Sequence, residues 1–161
     1  MEQTVIDATD VQLLDHLQND ASRSNQDLAA LVHISPPTCL RRVKRLHDAG
    51  LIEREIAVLS VDKLSAVTGH GLSAIVEITL DRQDNQALEA FEKRVAHDDA
   101  VQQCYRVSPG PDFCLVVHAA HMPDYLALAQ RLFTADANVR NVKTFFSIKR
   151  SKFGARVSLP L

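Results

Sequence analysis

Apolar positions in the first sixty residues recur every three or four. Val11, Leu13, Leu14 and Leu17 predict an amphipathic helix, with the Asp10 carboxylate at its start. The polar stretch from Asn19 to Asn25 ends it. Leu28, Ala29 and Val32 mark a second helix, with Ser24 or Asn25 as its cap, and His33-Ile34-Ser35 is a short break. Ser35 before Pro36 is a start signal, since a hydroxyl serves the first free N–H groups and proline at the first helical position sacrifices no bond. The third helix runs to about Ala49 and stops at Gly50. Cys39, Leu40, Val43 and Leu46 are expected to form its apolar stripe, with Thr38, Arg41, Arg42 and Arg45 on the opposite side. Leu51 to Val58 then reads as strand-like, either a small hairpin or one extended strand.

After Gly69 the period changes from helical to alternating. Leu72 to Leu80 predicts a strand with Ala74, Val76, Ile78 and Leu80 on one face and Ile75 out of phase. A helix over Asn85–His97 follows, then strands over Val101–Val107 and Asp112–Ala120 joined by Ser108-Pro109-Gly110-Pro111. A second helix over Pro123–Thr134 and a strand over Val139–Ile148 complete the order β-α-β-β-α-β, a ferredoxin-like sandwich. The fold class is therefore α+β: a helix-turn-helix, winged-helix-like domain over 1–60, a linker over 61–69, and an αβ domain over 70–161. Two helices cover only one face of such a sheet, so the other face calls for a second subunit.

Charge sharpens this picture. The 161 residues carry a net charge of -2, which excludes coating of nucleic acid through bulk basicity. The first sixty residues hold six Lys/Arg against nine Asp/Glu, yet four of the five from Arg41 to Arg45 are basic. A cationic stripe thus stands inside an acidic domain. The acidic opening, Met1 to Asp10, lacks the base and apolar run of a signal peptide, and no apolar run suits a membrane span. Three cysteines without a CxxC (Cys39, Cys104, Cys114) point to a reduced, cytoplasmic protein. Cys104 and Cys114 are candidate cross-strand neighbours of packing character. His118 and His121 read as surface histidines rather than metal ligands, and no cofactor is implied.

A tight turn before a helix with a cationic outer face describes a unit that enters the DNA major groove, where arginine bonds guanine or phosphate. The run from Ile34 through Leu46, continuing to Ala49-Gly50-Leu51-Ile52, resembles the recognition-helix signature of the Lrp/AsnC (leucine-responsive regulatory protein) family. The second half is similar to that family's effector-binding domain at Cys104-Tyr105-Arg106-Val107, at the turn before Asp112-Phe113, and at Val139 through Thr144. The resemblance covers about Asp10 to Val157.

It implies a nucleoid-associated transcription regulator whose αβ domains pair into dimers, which associate to tetramers or octamers. It also implies a small effector, an amino acid, acting on palindromic operator DNA. By position, Ser35, Pro37, Thr38, Arg41, Arg42, Lys44 and Arg45 would contact DNA. Ser108, Pro109, Gly110, Pro111, Asp112 and Thr144 would line the effector pocket, with Asp112 pairing an α-ammonium group or capping the loop. One departure stands out: Pro109 occupies the position where the family usually has glycine, and Pro109 and Pro111 remove two backbone donors. Two rival readings are a ligand-independent, nucleoid-organising protein and a tetrapyrrole decarboxylase of related fold.

Overall fold

The computed structural model describes residues 5–69 and 71–159. The chain divides into two compact units, one comprising the residues up to Val58 with those from Lys152 onward, the other Leu59–Ser151.

In the first unit, α1 (Ala8–Asn19) begins three residues earlier than its apolar pattern suggests. Asp7, not Asp10, is the N-cap: its side chain accepts from Asp10 N at 2.9 Å, and Asp10 Oδ2 accepts from Asp7 N at 3.0 Å. Two acids three apart thus satisfy each other's backbone donors. Helix α2 (Asn25–Leu31) is capped by Ser24. The turn to α3 (Pro36–Asp48) passes through His33 at φ 55, a left-handed position taken here by a side chain other than glycine. At the far end of α3 Gly50 has φ 70, its N–H bonds His47 O, and Leu51 N bonds Leu46 O. This Schellman closure explains why the helix stops where it was expected to.

Leu13, Leu28, Ala29, Val32, Cys39 and Leu46 form the core of this unit. The strand or hairpin expected over Leu51–Val58 is absent, since these residues join no ladder among the described residues. A strand needs a partner for its N–H and C=O groups, and none of the sheet strands supplies one. The segment from Lys152 was expected with the αβ domain. It runs instead along α1, where Gln18 exchanges two hydrogen bonds with Val157 and Arg156 pairs with Asp15 at 2.8 Å.

The second unit opens with a helix where a linker was expected: α4 (Val61–Thr68), capped by Ser60 and closed by Gly69 at φ 69. Then come β1 (Leu72–Leu80), α5 (Asn85–Ala96), β2 (Val101–Arg106), β3 (Phe113–Ala119), α6 (Met122–Ala129) and β4 (Val139–Phe146). A π-helical turn, Gln130–Thr134, extends α6. The four strands are antiparallel in the order β2-β3-β1-β4, which is the ferredoxin-like topology. Ala74, Val76, Ile78 and Leu80 of β1 and Phe113, Leu115 and Val117 of β3 are buried with Phe91, Val95, Tyr125, Leu128 and Phe133 of the helical layer.

The alternate residues line the other face, where Ile75, Tyr105 and Phe145 stay about half exposed. Cys104 pairs with Leu115 while Cys114 pairs with Tyr105, so the two cysteines lie on opposite faces of the sheet rather than across from each other. All three cysteines are free, and burial raises the Cys39 and Cys104 thiols above their ordinary values. This suits packing better than reactivity.

Candidate nucleic-acid interface and effector turn

Three helical turns of α3 separate its residues into two sets. Cys39 and Leu46 are buried in the core, whereas Pro36, Pro37, Leu40, Arg41 and Lys44 are exposed. Leu40 leaves the apolar stripe assigned to it: it is 62% exposed, one turn from Pro36, Pro37 and Lys44 on the outer face. Ser35 is the N-cap residue, but its hydroxyl bonds Thr38 Oγ1 at 2.8 Å instead of a backbone N–H.

The basic residues divide by their partners instead, since Arg45 is exposed as Arg41 and Lys44 are. Arg42 Nη1 donates to Asp10 Oδ1 at 2.8 Å and to Asp7 Oδ2 at 2.7 Å, and Arg45 Nη2 donates to the other Asp10 oxygen. Asp10 is completely buried. Its oxygens are thus engaged by two guanidinium groups and a backbone N–H, as a carboxylate withdrawn from water requires. The Asp10 N–H, and after it Arg42, hold the Asp7 carboxyl below its ordinary range. Asp7 and Asp10 in turn raise the Arg42 guanidinium further. Arg41, Arg42 and Arg45 line, with Asp7, a recess of about 160 Å³. Of the four basic residues, Arg41 and Lys44 carry no ion pair to α1, while Arg42 and Arg45 fasten α3 to it. The acidic pair at the start of α1 was the signal for this clamp, three residues apart and opposite a basic helix.

At one end of the sheet, the turn Ser108–Pro111 joins β2 to β3 with a cis Ser108–Pro109 bond and Gly110 at φ 130. Asp112 accepts from Leu80 N at 2.7 Å and from Gln83 Nε2 at 3.2 Å, and its own N–H bonds Ile78 O. The carboxylate therefore caps the loop at the end of β1. Thr144 is not brought to this turn. It lies on β4, two strands from β3, where it pairs with Val76 of β1, and its hydroxyl bonds Tyr125 on the helix-covered face. His118 lies within 3.1 Å of Ser73 Oγ, and no group of three or more metal-ligating side chains occurs among the described residues.

A helix-turn-helix with a cationic outer face, joined to a one-sided βαββαβ sandwich, defines a two-domain DNA-binding regulator. The chain belongs to the Lrp/AsnC family of transcriptional regulators. Residues 6–47 match the profile of the AsnC-type helix-turn-helix domain and residues 73–157 that of the Lrp/AsnC ligand binding domain. The leucine-responsive regulatory protein of Rhizobium meliloti is 34% identical over 154 residues, 96% of each chain. That of Escherichia coli K12 is 31% identical over 152 residues, covering 94% of this chain and 90% of the relative. Among solved structures, a transcriptional regulator of Neisseria meningitidis in complex with L-Met superposes with a TM-score of 0.80. It has 26% identity and covers 97% of this chain and 98% of its own.

Proposed function

We propose that α3 enters the major groove with Pro37, Arg41 and Lys44 toward the DNA, and that Ser35 and Thr38 set its entry angle. The observation carrying this reading is that Arg41 and Lys44 are exposed on the face turned away from the core while Arg42 and Arg45 are tied to buried Asp10. Arg42 and Arg45 hold the helix at its angle and lend positive potential to nearby phosphates. Arg41→Ala should weaken binding to a selected operator about thirtyfold, and Lys44→Ala should lower the salt slope by about one. An Arg41→Ala footprint matching wild type would sink this reading.

The assembly is a homodimer, associating to tetramers or octamers, through the sheet face that carries Ile75, Tyr105 and Phe145. With two-fold symmetry the operator is palindromic, its half-sites one or two turns apart. The effector is an amino acid, supported by the ligand-binding profile and by the L-Met complex of the Neisseria relative. Ser108, Pro109, Gly110 and Pro111 flank the pocket, with Asp112 holding their loop in register and Thr144 supporting the sheet behind it. The protein acts as a regulator rather than a catalyst, in the cytoplasm at the nucleoid. Among the described residues no helix is long and apolar enough to cross a membrane. A thermal-shift screen with the twenty amino acids tests the effector: a specific ligand raises the melting temperature by mass action. No shift with any of them favours the ligand-independent reading.

A further inference from the structure

We infer that Leu40 is a specificity-determining residue that reads the C5-methyl group of a thymine in the operator. This rests on α3 being the DNA-reading helix. A single exposed leucine is ordinary on a protein surface; its position is what matters here. Leu40 is 62% exposed at the fifth residue of α3, in the half of a recognition helix that meets base edges. Its neighbours one turn away on the exposed face are Pro36, Pro37 and Lys44, and Arg41 follows it in sequence. The face therefore presents two short rings and a branched aliphatic side chain beside two cations.

Cations suit phosphates and guanine, but they leave an aliphatic group unsatisfied unless the groove offers an apolar partner. The major groove has one such group, the thymine methyl. Leucine has no donor or acceptor, so its discrimination comes from that methyl alone. Arg41 and Lys44 bring the helix close enough to exclude water from the contact. The geometry thus assigns two chemistries to adjacent residues: Arg41 reads by hydrogen bonds and Leu40 by apolar contact.

The test uses the full chain and a duplex site enriched by that chain from a random pool. Each thymine is replaced singly by deoxyuridine, which removes the methyl and nothing else. Wild type should lose about fourfold in affinity at one thymine per half-site, the worth of one methyl withdrawn from water. Leu40→Ala should bind the thymine site with that same loss already present, and should be indifferent to uracil there. Because Leu40 lies outside the core, its melting temperature should stay at the wild-type value.

A flat uracil scan for wild type overturns the inference, as does a Leu40→Ala variant that keeps wild-type sensitivity. A changed oligomeric state in sedimentation with unchanged base discrimination overturns it too, by making Leu40 a protein contact. Arg41→Ala in the same assay separates the premises. If it binds as wild type, α3 is not the reading helix; if it fails while the uracil scan is flat, only the role of Leu40 falls.

Discussion

The two units of this chain solve the same problem with different physics. Among the described residues, the αβ unit buries fourteen in one apolar cluster, with alternating strand positions against two helices. The helix-turn-helix unit has six such described residues, and its recognition helix is fastened by a buried carboxylate gripped by two arginines. Three short helices remove less apolar surface from water than the sheet and its helices do, and a directional ionic clamp adds to their packing. It also engages two of the four cations, although Arg45 stays 48% exposed.

The largest effects should show the two units failing separately. Phe113 is fully buried and stacks on Phe91 with ring centroids 4.7 Å apart. Phe113→Ala should therefore cost about 4 kcal/mol, through lost transfer energy and the cavity left behind. Native-state hydrogen exchange of the full chain should show faster opening of β1 and β3 amides, with α1 and α3 little changed. Equal loosening everywhere would show that the division into two units has no energetic meaning.

Asp10→Ala is the counterpart in the other unit. It leaves Arg42 to Asp7 alone, Arg45 to water and the Asp7 N–H without its acceptor, and should cost about 2 kcal/mol, confined to α1–α3 amides. It should also weaken operator binding although Asp10 is buried and does not face the groove. Under the opposite outcome, with binding preserved and stability lost, the clamp would hold the domain together without setting the angle of α3.

Much of this was legible beforehand, and what was not has physical causes. Strand β1 declared itself because alternation at Ala74, Val76, Ile78 and Leu80 has one solution on a one-sided sheet. Gly50 marked the end of α3 because a left-handed closing residue favours glycine. The cap of α1 falls at Asp7 rather than the expected Asp10 because both are acceptable caps, and only the partner helix decides which is buried. Leu40 departs from its expected stripe for a related reason: a leucine beside Cys39 and Val43 fits an apolar stripe by spacing, and its exposure depends on the angle of α3. Helix α4 falls where the sequence predicts a linker, because eight residues give too few turns for a clear period. In the site, the basic stripe was visible, but its division into clamp and free cations needs the distance between α1 and α3. Thr144 lies on the last strand, as its motif suggests, but two strands from the turn it was expected to join.

A smaller effect probes the αβ unit away from its apolar centre. The Thr144 hydroxyl bonds Tyr125 on the helix-covered face. Thr144→Val keeps shape and removes that bond, so it should cost about 1 kcal/mol in urea unfolding. Operator binding should be unaffected. A loss near that of Phe113→Ala would mean that the αβ unit depends on polar contacts as the other unit does, and the contrast would fail.

The smallest effect concerns the exposed arm of the clamp. Asp7 has a lowered carboxyl value, set first by the Asp10 backbone N–H and then by Arg42. A group lowered in the folded state stabilises above its unfolded value, and that contribution disappears as the pH falls through the folded value. Asp7→Asn keeps an acceptor that can cap α1 but removes the charge facing Arg42. The variant should therefore melt slightly below wild type at pH 7, with the gap closing as the pH drops below about 4. The same comparison in 1 M salt should shrink the pH 7 gap, because Asp7 is exposed and its pair with Arg42 is screened, whereas the Asp10 effect should persist. A gap that stays constant from pH 7 to pH 3 would mean that Asp7 acts through the geometry of its cap alone, leaving Asp10 as the sole ionic anchor of α3.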